Sequence, residues 1–415
     1  MGEQLYTISQ ASDKLGTTVK IVRRLVASGK IVSLKKNGVL RVPAASLEAF
    51  SAIGSSLKTE RLDRLRVERE VNWVDISDVW QSPVDSGVLF VDLFCGAGGL
   101  SKGLEMAGLE GICGLDWFDE AGETYKRNFA HPFVNGDIRL QEKKDEFYNT
   151  VKARLNGRKL NVVAGGFPCQ GFSMAGNRIE DDPRNSLYKE MLEIVRNLQP
   201  EFVICENVKG LRSMLGGRVE QKILDDYAEI GYQLNVATLC AADYYTPQKR
   251  ERVIFIGNRI GAKNYHPKPL VQPSDYVTTG MAIADLMNRP ADAAFNHEPT
   301  KHKPEMQQRL LQLEEGQSLY AGYSDAWKKC PWNSPSCTIK ENHGGVNVHP
   351  KLPRVLTARE MARLQSFPDD FIFMGSKSKQ LVQIGNAVPP LLGKAVGLAV
   401  LKSMVLLNTS QDTSL

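Results

Sequence analysis

Five short apolar, β-prone runs constrain this chain more than anything else in it: Val88–Leu93, Ile112–Leu115, Val162–Ala164, Phe202–Cys205 and Val253–Ile256. Helical patterns separate them, the first over Leu100–Ala107. Strands that are apolar on both faces, joined through helices, need a mostly parallel sheet covered on both sides. The expected fold class is therefore α/β with a doubly wound sheet. Such sheets take their ligands at the carboxyl ends of the strands. The segments that follow each run are thus where chemistry is expected.

The first run leads into Phe94-Cys95-Gly96-Ala97-Gly98-Gly99-Leu100, a glycine turn that opens a helix. Glycines let the backbone pass close beneath a ligand. The dinucleotide fingerprint G-x-G-x-x-G/A is met at Gly96 and Gly98 and fails at Ser101. A helix N-terminus at this point suits a carboxylate. Asp116, at the end of the second run, can accept both hydroxyls of a ribose, and Asp137-Ile138 offers the same placement beside an adenine at a third strand end. A nucleoside without a pyrophosphate fits this series better than a dinucleotide.

The run Val162–Ala164 ends in two glycines and then Pro168-Cys169-Gln170. A cysteine at a strand mouth can be an exposed nucleophile; an arbitrary apolar cysteine is more often buried and inert. Glu206 follows Phe202–Cys205 at the same sheet edge, where burial would raise its pKa and keep a proton available. Arg250 and Arg252 precede the strand Val253–Ile256 two residues apart, so both are expected on one side, suited to a phosphate or a carbonyl. Gly171–Arg184, with Gly176, Asn177 and Asp181-Asp182-Pro183, reads as a mobile loop able to close over a substrate. Cys95, Cys113 and Cys205 lie in or beside the apolar runs and read as structural.

The whole chain has 415 residues, enough for two or three domains. Its seven scattered cysteines do not form a disulfide framework, which points to a reducing cytoplasm. Met1–Tyr6 lacks a leader pattern, and no uninterrupted apolar stretch approaches the ~20 residues of a membrane span. The net charge of +5 equals the surplus of Lys and Arg within residues 1–60 alone, so this segment is expected to meet a polyanion. It reads as Ser9 capping a helix to Leu15, Thr18 opening a second helix with Val19, Val22 and Val26 on one face, and a hairpin at Asn37-Gly38. A last short helix runs from Pro43 through Phe50. This pattern resembles a winged helix-turn-helix of the excisionase or MerR-like kind, with Arg23 and Arg24 on the recognition helix and Lys35 and Lys36 at the wing. The expected division is 1–55 for this unit, 56–86 for a connector, 87–257 for the sheet, 258–350 for an irregular second domain, 351–407 for a return to the brace and sheet, and 408–415 for a tail.

Taken in order, the motifs resemble those of the DNA (cytosine-C5) methyltransferase family, of the bacterial modification type. Asp92–Gly99 is similar to its S-adenosylmethionine loop, Pro168-Cys169-Gln170 to its nucleophile motif, and Glu206-Asn207-Val208 to its acid motif. Gln248-Lys249-Arg250-Glu251-Arg252 resembles its Q-x-R-x-R segment. Arg354–Glu360 with Leu364–Asp369 resembles its second-domain brace, and Gly385-Asn386-Ala387-Val388-Pro389-Pro390 its last motif. The likeness covers roughly residues 87–405. It implies a Rossmann-like methyltransferase sheet, S-adenosylmethionine as methyl donor, and a target cytosine flipped out of double-stranded DNA. Cys169 would add at cytosine C6, Glu206 would hold a proton at N3, and Arg250 and Arg252 would anchor the base, with Arg252 at its carbonyl. The cofactor would be held by Phe94, Gly96, Gly98, Gly99, Asp116, Trp117, Asp137, Ile138, Pro168, Leu187, Asn386 and Val388. Residues 258–350 would recognise the target. Gln170, Ser173, Gln248, Lys340 and Asn342 are the expected DNA contacts there and at the site, beside His343 and Asn347 around Gly344-Gly345. The resemblance further implies a restriction-modification role, action as a monomer, and repression of the chain's own promoter through the N-terminal unit. Two other readings share these residues: a tRNA cytosine-C5 methyltransferase, and a DNA-binding regulator on an inactive scaffold. The spacing of Cys330, Cys337, His343 and His349 is not that of a zinc knuckle, and no metal is expected.

Overall fold

The computed structural model describes residues 5–14, 22, 26, 31–36, 39–47, 71–81, 85–168, 186–320, 327–340 and 347–412. The chain divides into two compact units, Met1–Glu70 and Val71–Leu415.

In the first unit β1 (Leu5–Thr7), β2 (Leu34–Lys36) and β3 (Val39–Pro43) form an antiparallel sheet in the order β1-β3-β2. Between β1 and β2 comes α1 (Ile8–Lys14). Thr7 rather than Ser9 opens α1. The Thr7 hydroxyl accepts the Gln10 N–H at 3.1 Å and the Gln10 side chain accepts the Thr7 N–H at 3.0 Å, a reciprocal cap that Ser9 is placed too late to make. Lys36 pairs with Val39, so the ladder closes on either side of Asn37-Gly38, which lie outside the described residues. Ala11, Val22, Ile31, Val42 and Leu47 form a small core with Val26 against it. Lys35 and Lys36 fall on β2; Arg23 and Arg24 lie outside the described residues.

The second unit is built on a seven-stranded sheet. Its strands are β5 (Leu89–Leu93), β6 (Glu110–Asp116), β7 (Phe133–Asn135), β8 (Val162–Gly165), β9 (Phe202–Val208), β10 (Gln233–Cys240) and β11 (Glu251–Asn258), in the order β10-β11-β9-β8-β5-β6-β7. All neighbours are parallel except β11, which runs antiparallel to β9 and β10. Helices α2 (Gly99–Met106), α3 (Asp119–Asn128), α4 (Gln141–Leu155), α5 (Ser186–Leu198) and α6 (Arg218–Glu229) connect them. The strand order reverses between β5 and β8, so the loops after Leu93 and Gly165 leave the sheet side by side. Because β11 is antiparallel, its start comes to that same edge, with Arg252 opposite Val208.

Both sheet faces are covered. Val91, Val163, Val203 and Phe255 pack on one side, and Phe90, Val162, Phe202 and Ile254 pack on the other against α2 and the final helix. The third strand expected ahead of Asp137 is short, and one further strand of this sheet was not expected. β7 has only three residues, and β10 alternates buried and partly exposed positions rather than forming an apolar run. β9 is longer than its apolar core, so Glu206 and Asn207 lie inside the strand rather than after it.

Residues 71–81, expected in the connector, belong to the second unit: Ile76 and Trp80 are buried in its core, and β4 (Trp73–Val74) pairs with β12 (His266–Pro267). Beyond β12 come α7 (Thr279–Ile283), α8 (Pro304–Gln312), α9 (Ala358–Leu364) and α10 (Lys377–Asn386), of which α7, α9 and α10 share a core with the turn after β5. Cys95, Ala97, Tyr125 and Phe129 pack there with Ile339, Leu356, Met361 and Phe371. Last comes α11 (Pro390–Asp412), which packs on α2. By length and composition alone the helical segment Lys377–Leu407 is long and apolar enough to cross a membrane, although Lys394 and Lys402 interrupt its apolar run. Its apolar window is 61% buried inside the protein, with Leu392, Ala395, Val396 and Val400 in the core.

Candidate active site

Three loops meet at the reversal of strand order. The first is the turn after β5. Phe94, Gly96 and Gly98 all have positive φ (56°, 52° and 92°), a region that costs a residue with a Cβ and is free to glycine. Gly98 caps α2 without a side-chain hydrogen bond, so the first-turn N–H groups of α2 are not taken by a side chain. A Cβ on Gly96 would meet nothing within 4 Å, whereas one on Gly99 would lie 2.2 Å from the Val388 carbonyl oxygen. The structure thereby brings Val388, just after Asn386 at the end of α10, against this turn. Asp116 closes it from β6. Its Oδ2 accepts the Gly96 N–H at 2.8 Å and its Oδ1 the Phe118 N–H at 2.9 Å, leaving each oxygen one further acceptor site. Burial raises the Asp116 pKa. Trp117 beside it is 72% exposed. Gly136 donates to the Asp116 carbonyl, which sets Asp137 and Ile138 at the neighbouring strand end. Ile138 is buried, and Asp137 is gripped by Arg139, which lowers its pKa.

The second loop follows β8. Pro168 is exposed at its end; Cys169, Gln170, Ser173 and the segment to 185 lie outside the described residues. Leu187 packs at the start of α5 against the core. What holds the loop's root is Asn207, whose Nδ2 donates to the Phe167 carbonyl at 2.9 Å. A Cβ on Gly166 would sit 2.9 Å from Glu206 Oε2. The approach to Cys169 is therefore fixed by the strand that carries Glu206.

The third element is the start of β11. Arg252 Nε lies 2.8 Å from Glu206 Oε1, and both side chains are mostly buried. Glu206, expected to be buried at this edge, is one half of an ion pair. A second carboxyl, Asp92 on β5, is fully buried, and burial pushes its pKa up to about 7. Asp92 Oδ2 accepts from Ser101 at 2.6 Å, Ser101 meets the Tyr125 hydroxyl at 2.8 Å, and Tyr125 meets His131 Nε2 at 2.7 Å. This buried chain ties β5 to α2 and α3 behind the glycine turn.

Two expected contacts are structural. Arg250 does not share Arg252's surroundings. Its guanidinium donates to the carbonyls of Ile339 at 2.7 Å and of Gly385 and Ala387 at 3.0 Å, and burial lowers its pKa. Gln248 is fully buried; it donates to Leu364 O and Gln365 Oε1 and accepts from the Ile339 N–H. These hydrogen bonds join β11 to the brace and both side chains are buried, with Arg250 Nε left without a partner among the described residues. The brace is itself locked. Thr357 and Glu360 cap α9 reciprocally, and Arg354 holds both Glu360 oxygens at 2.7 Å. Lys340 lines a cavity with Lys249, Lys328, Cys337, Thr338 and Asn347, while Asn342 and His343 lie outside the described residues. His349 Nε2 lies 3.7 Å from Glu360 Oε1, and Cys330 and Cys337 face each other. Cys95, Cys113 and Cys205 are buried with raised pKa values, in keeping with structural thiols.

Sequence reasoning left Asn207, Gly166 and Asp92 out of the site. Asn207 and Asp92 stood inside the quoted motifs. A buried amide or carboxyl among apolar strand residues was the available signal.

Comparison with known proteins agrees with this geometry. The sequence profile of the C-5 cytosine-specific DNA methylase family matches residues 88–402. The Type II methyltransferase M1.HphI of Haemophilus parahaemolyticus is 36% identical over 338 residues, covering 78% of this chain and 88% of its own. The Type II methyltransferase M.Eco47II of Escherichia coli is 28% identical over 98% of both chains. A solved structure assigned as a DNA modification methyltransferase encoded within an E. coli prophage superposes with a TM-score of 0.63 at 26% identity, covering 77% of this chain and 99% of that one. With the sheet edge, the glycine turn and the Glu206–Arg252 pair in place, the chain belongs to the C-5 cytosine-specific DNA methylase family and is a DNA cytosine-5-methyltransferase.

Proposed function

We propose that this chain methylates a cytosine flipped out of one specific double-stranded DNA sequence, through a covalent bond between Cys169 and cytosine C6. One observation carries the reading: the root of the Cys169 loop is bonded to the strand that presents Glu206, and that strand's neighbour supplies Arg252. Cytosine C5 is a poor nucleophile. Addition of the Cys169 thiolate at C6 turns the ring into an enamine, and a proton held at N3 stabilises it. Glu206 holds that proton with Oε2, the oxygen beside Gly166, while Arg252 orients the carboxyl through Oε1 and reaches the base carbonyl.

S-adenosylmethionine, the donor that methyltransferase membership implies, supplies an electrophilic methyl group when bound. The residues suit it. The uncapped first turn of α2 accepts a carboxylate, the open side of Gly96 leaves room, and Asp116 retains two acceptor sites for a ribose. Trp117 offers an exposed ring for a base, with Phe94, Gly98, Gly99, Asp137, Ile138, Pro168, Leu187, Asn386 and Val388 around the same edge. Lys340 and Asn342, with Gln170 and Ser173, read or hold the DNA. The basic first unit, with Arg23, Arg24, Lys35 and Lys36, is an accessory DNA binder that represses the chain's own promoter. The enzyme acts as a monomer in the cytoplasm of a bacterium, as the modification half of a restriction-modification system.

Transfer of a labelled methyl group tests this. Duplex DNA is the expected acceptor, and bisulfite sequencing reports the base and its context together. Labelling of tRNA in preference to duplex DNA overturns the substrate, and full activity of Cys169→Ala overturns the mechanism. Footprinting of the full-length protein on its own upstream region tests repression; no protection there removes it.

A further inference from the structure

The catalytic reading leaves unused a pair of thiols at the foot of the cavity beside β11. Cys330 and Cys337 sulfurs stand 3.9 Å apart. Their backbones are pinned on both sides. The Cys330 N–H donates to the Val348 carbonyl. The Ser336 N–H donates to the Pro247 carbonyl and the Ser336 carbonyl accepts from Lys249, while the Thr338 hydroxyl donates to the Lys249 carbonyl. A disulfide needs about 2 Å between sulfurs, so the pair has to close by about 2 Å from this starting point.

The two thiols are not equivalent. Cys330 is fully buried, while Cys337 is partly exposed and lines a cavity of about 280 Å³ with Lys249, Lys328, Thr338, Lys340 and Asn347. Asn347 Nδ2 donates to Cys337 Sγ at 3.0 Å. The Cys330 thiol, Lys328 and Asn347 pull the Cys337 pKa down, and the same thiol pair and burial push Cys330 up. A thiolate reachable through a basic cavity, backed by a second thiol, has the features of a reactive cysteine with a resolving partner.

We propose that Cys330 and Cys337 form a peroxide-reactive dithiol, with Cys337 the attacking sulfur and Cys330 the resolving one. The Cys337 thiolate attacks a hydroperoxide: an S–O bond forms, the O–O bond breaks, and the alkoxide leaves as an alcohol after taking a proton from water. Cys330 then attacks the sulfenic sulfur. An S–S bond forms, the S–O bond breaks, and the hydroxide leaves as water with the Cys330 proton. Two thiols are oxidised by two electrons in total and one peroxide is reduced. Lys249 and Lys340 line the cavity beside the start of β11, so DNA held by them would shield it; this part rests on the proposed DNA-facing role of Lys340.

The test is limited hydrogen peroxide on the full-length protein, followed by peptide mapping by mass spectrometry. Cys240 serves as an internal comparator. It is also partly exposed, but burial raises its pKa. The expected result is a Cys330–Cys337 cross-link, two hydrogens lighter, reversed by a thiol reductant and formed about tenfold faster than any oxidation of Cys240. In Cys330→Ser the reaction stops at a Cys337 sulfenic acid trapped by a dimedone reagent, and in Cys337→Ser Cys330 stays unmodified. Failure of the cross-link to outpace Cys240 in the unsubstituted protein overturns the proposal, as does oxidation of Cys330 at an undiminished rate in Cys337→Ser. Duplex DNA is expected to slow the cross-link severalfold. An unchanged rate removes the DNA-facing cavity and leaves the dithiol chemistry standing, so the two failures are told apart.

Discussion

Glu206 and Arg252 meet across the β9–β11 ladder with 2.8 Å between Oε1 and Nε, one residue in from the edge where β9 is joined to the Cys169 loop. The pair fixes the acid's orientation and leaves its second oxygen beside Gly166. Glu206→Gln keeps the shape and removes the proton, so kcat is expected to fall by about 10²–10⁴ with duplex binding little changed. Single-turnover methyl transfer beside a binding titration checks this. A loss confined to KM contradicts it.

Arg250 answers to a different measurement. Its removal leaves the carbonyls of Ile339, Gly385 and Ala387 without their donor, in a place water does not reach. Each unsatisfied group costs about 1–3 kcal/mol. Arg250→Met is therefore expected to lower the urea midpoint strongly, whereas Arg252→Met, which leaves only Glu206 unpaired, is expected to lower it less and to lower kcat. Equal stability of Arg250→Met and the parent chain contradicts the assignment.

Asp92 makes stability depend on pH. Its folded pKa, about 7, lies above the ordinary carboxyl value of 3.8, so the folded state holds the proton more tightly. That contribution is complete below pH ~4, falls as pH rises, and is gone above pH ~7. Asp92→Asn keeps the acceptor for Ser101 and loses the titration. Between pH 5 and 8 the parent chain should lose about 2–3 kcal/mol relative to the variant. Urea unfolding of both proteins at the two pH values reads the difference, and parallel behaviour contradicts the assignment.

At Gly99 a single methyl is diagnostic. Its Cβ would stand 2.2 Å from the Val388 carbonyl oxygen, backbone that cannot rotate away. Gly99→Ala must push the last motif off the turn. Cofactor affinity by calorimetry is expected to fall about tenfold or more, a loss of 1.4 kcal/mol or greater. Unchanged affinity contradicts the contact.

The expected strands were legible because β5, β6, β8, β9 and β11 are apolar on both faces, the one pattern a central parallel sheet demands. β10 was not, because its neighbour on one side only leaves it half exposed and its residues alternate. The motifs located the site, but one dimension of sequence does not say which of two nearby arginines turns inward. Arg250 and Arg252 differ by two positions, and their partners come from residues 385–387 and 206, far along the chain. Gln248 misled for the same reason. An amide that resembles a base reader in sequence is spent on Leu364, Gln365 and Ile339 in the fold. Ser9 lost the helix cap to Thr7 because the cap is decided by the Gln three residues on.

The central claim is the bond between Cys169 and cytosine C6, and duplex DNA carrying 5-fluorocytosine at the target position tests it most directly. Fluorine at C5 cannot leave as a proton does, so the elimination that follows methyl transfer and releases Cys169 stalls with the enzyme attached. The account predicts a stable adduct, dependent on S-adenosylmethionine, with the modified peptide mapped to Cys169 and absent from Cys169→Ala. An adduct that persists in Cys169→Ala, or methylation of ordinary duplex by that variant, contradicts it.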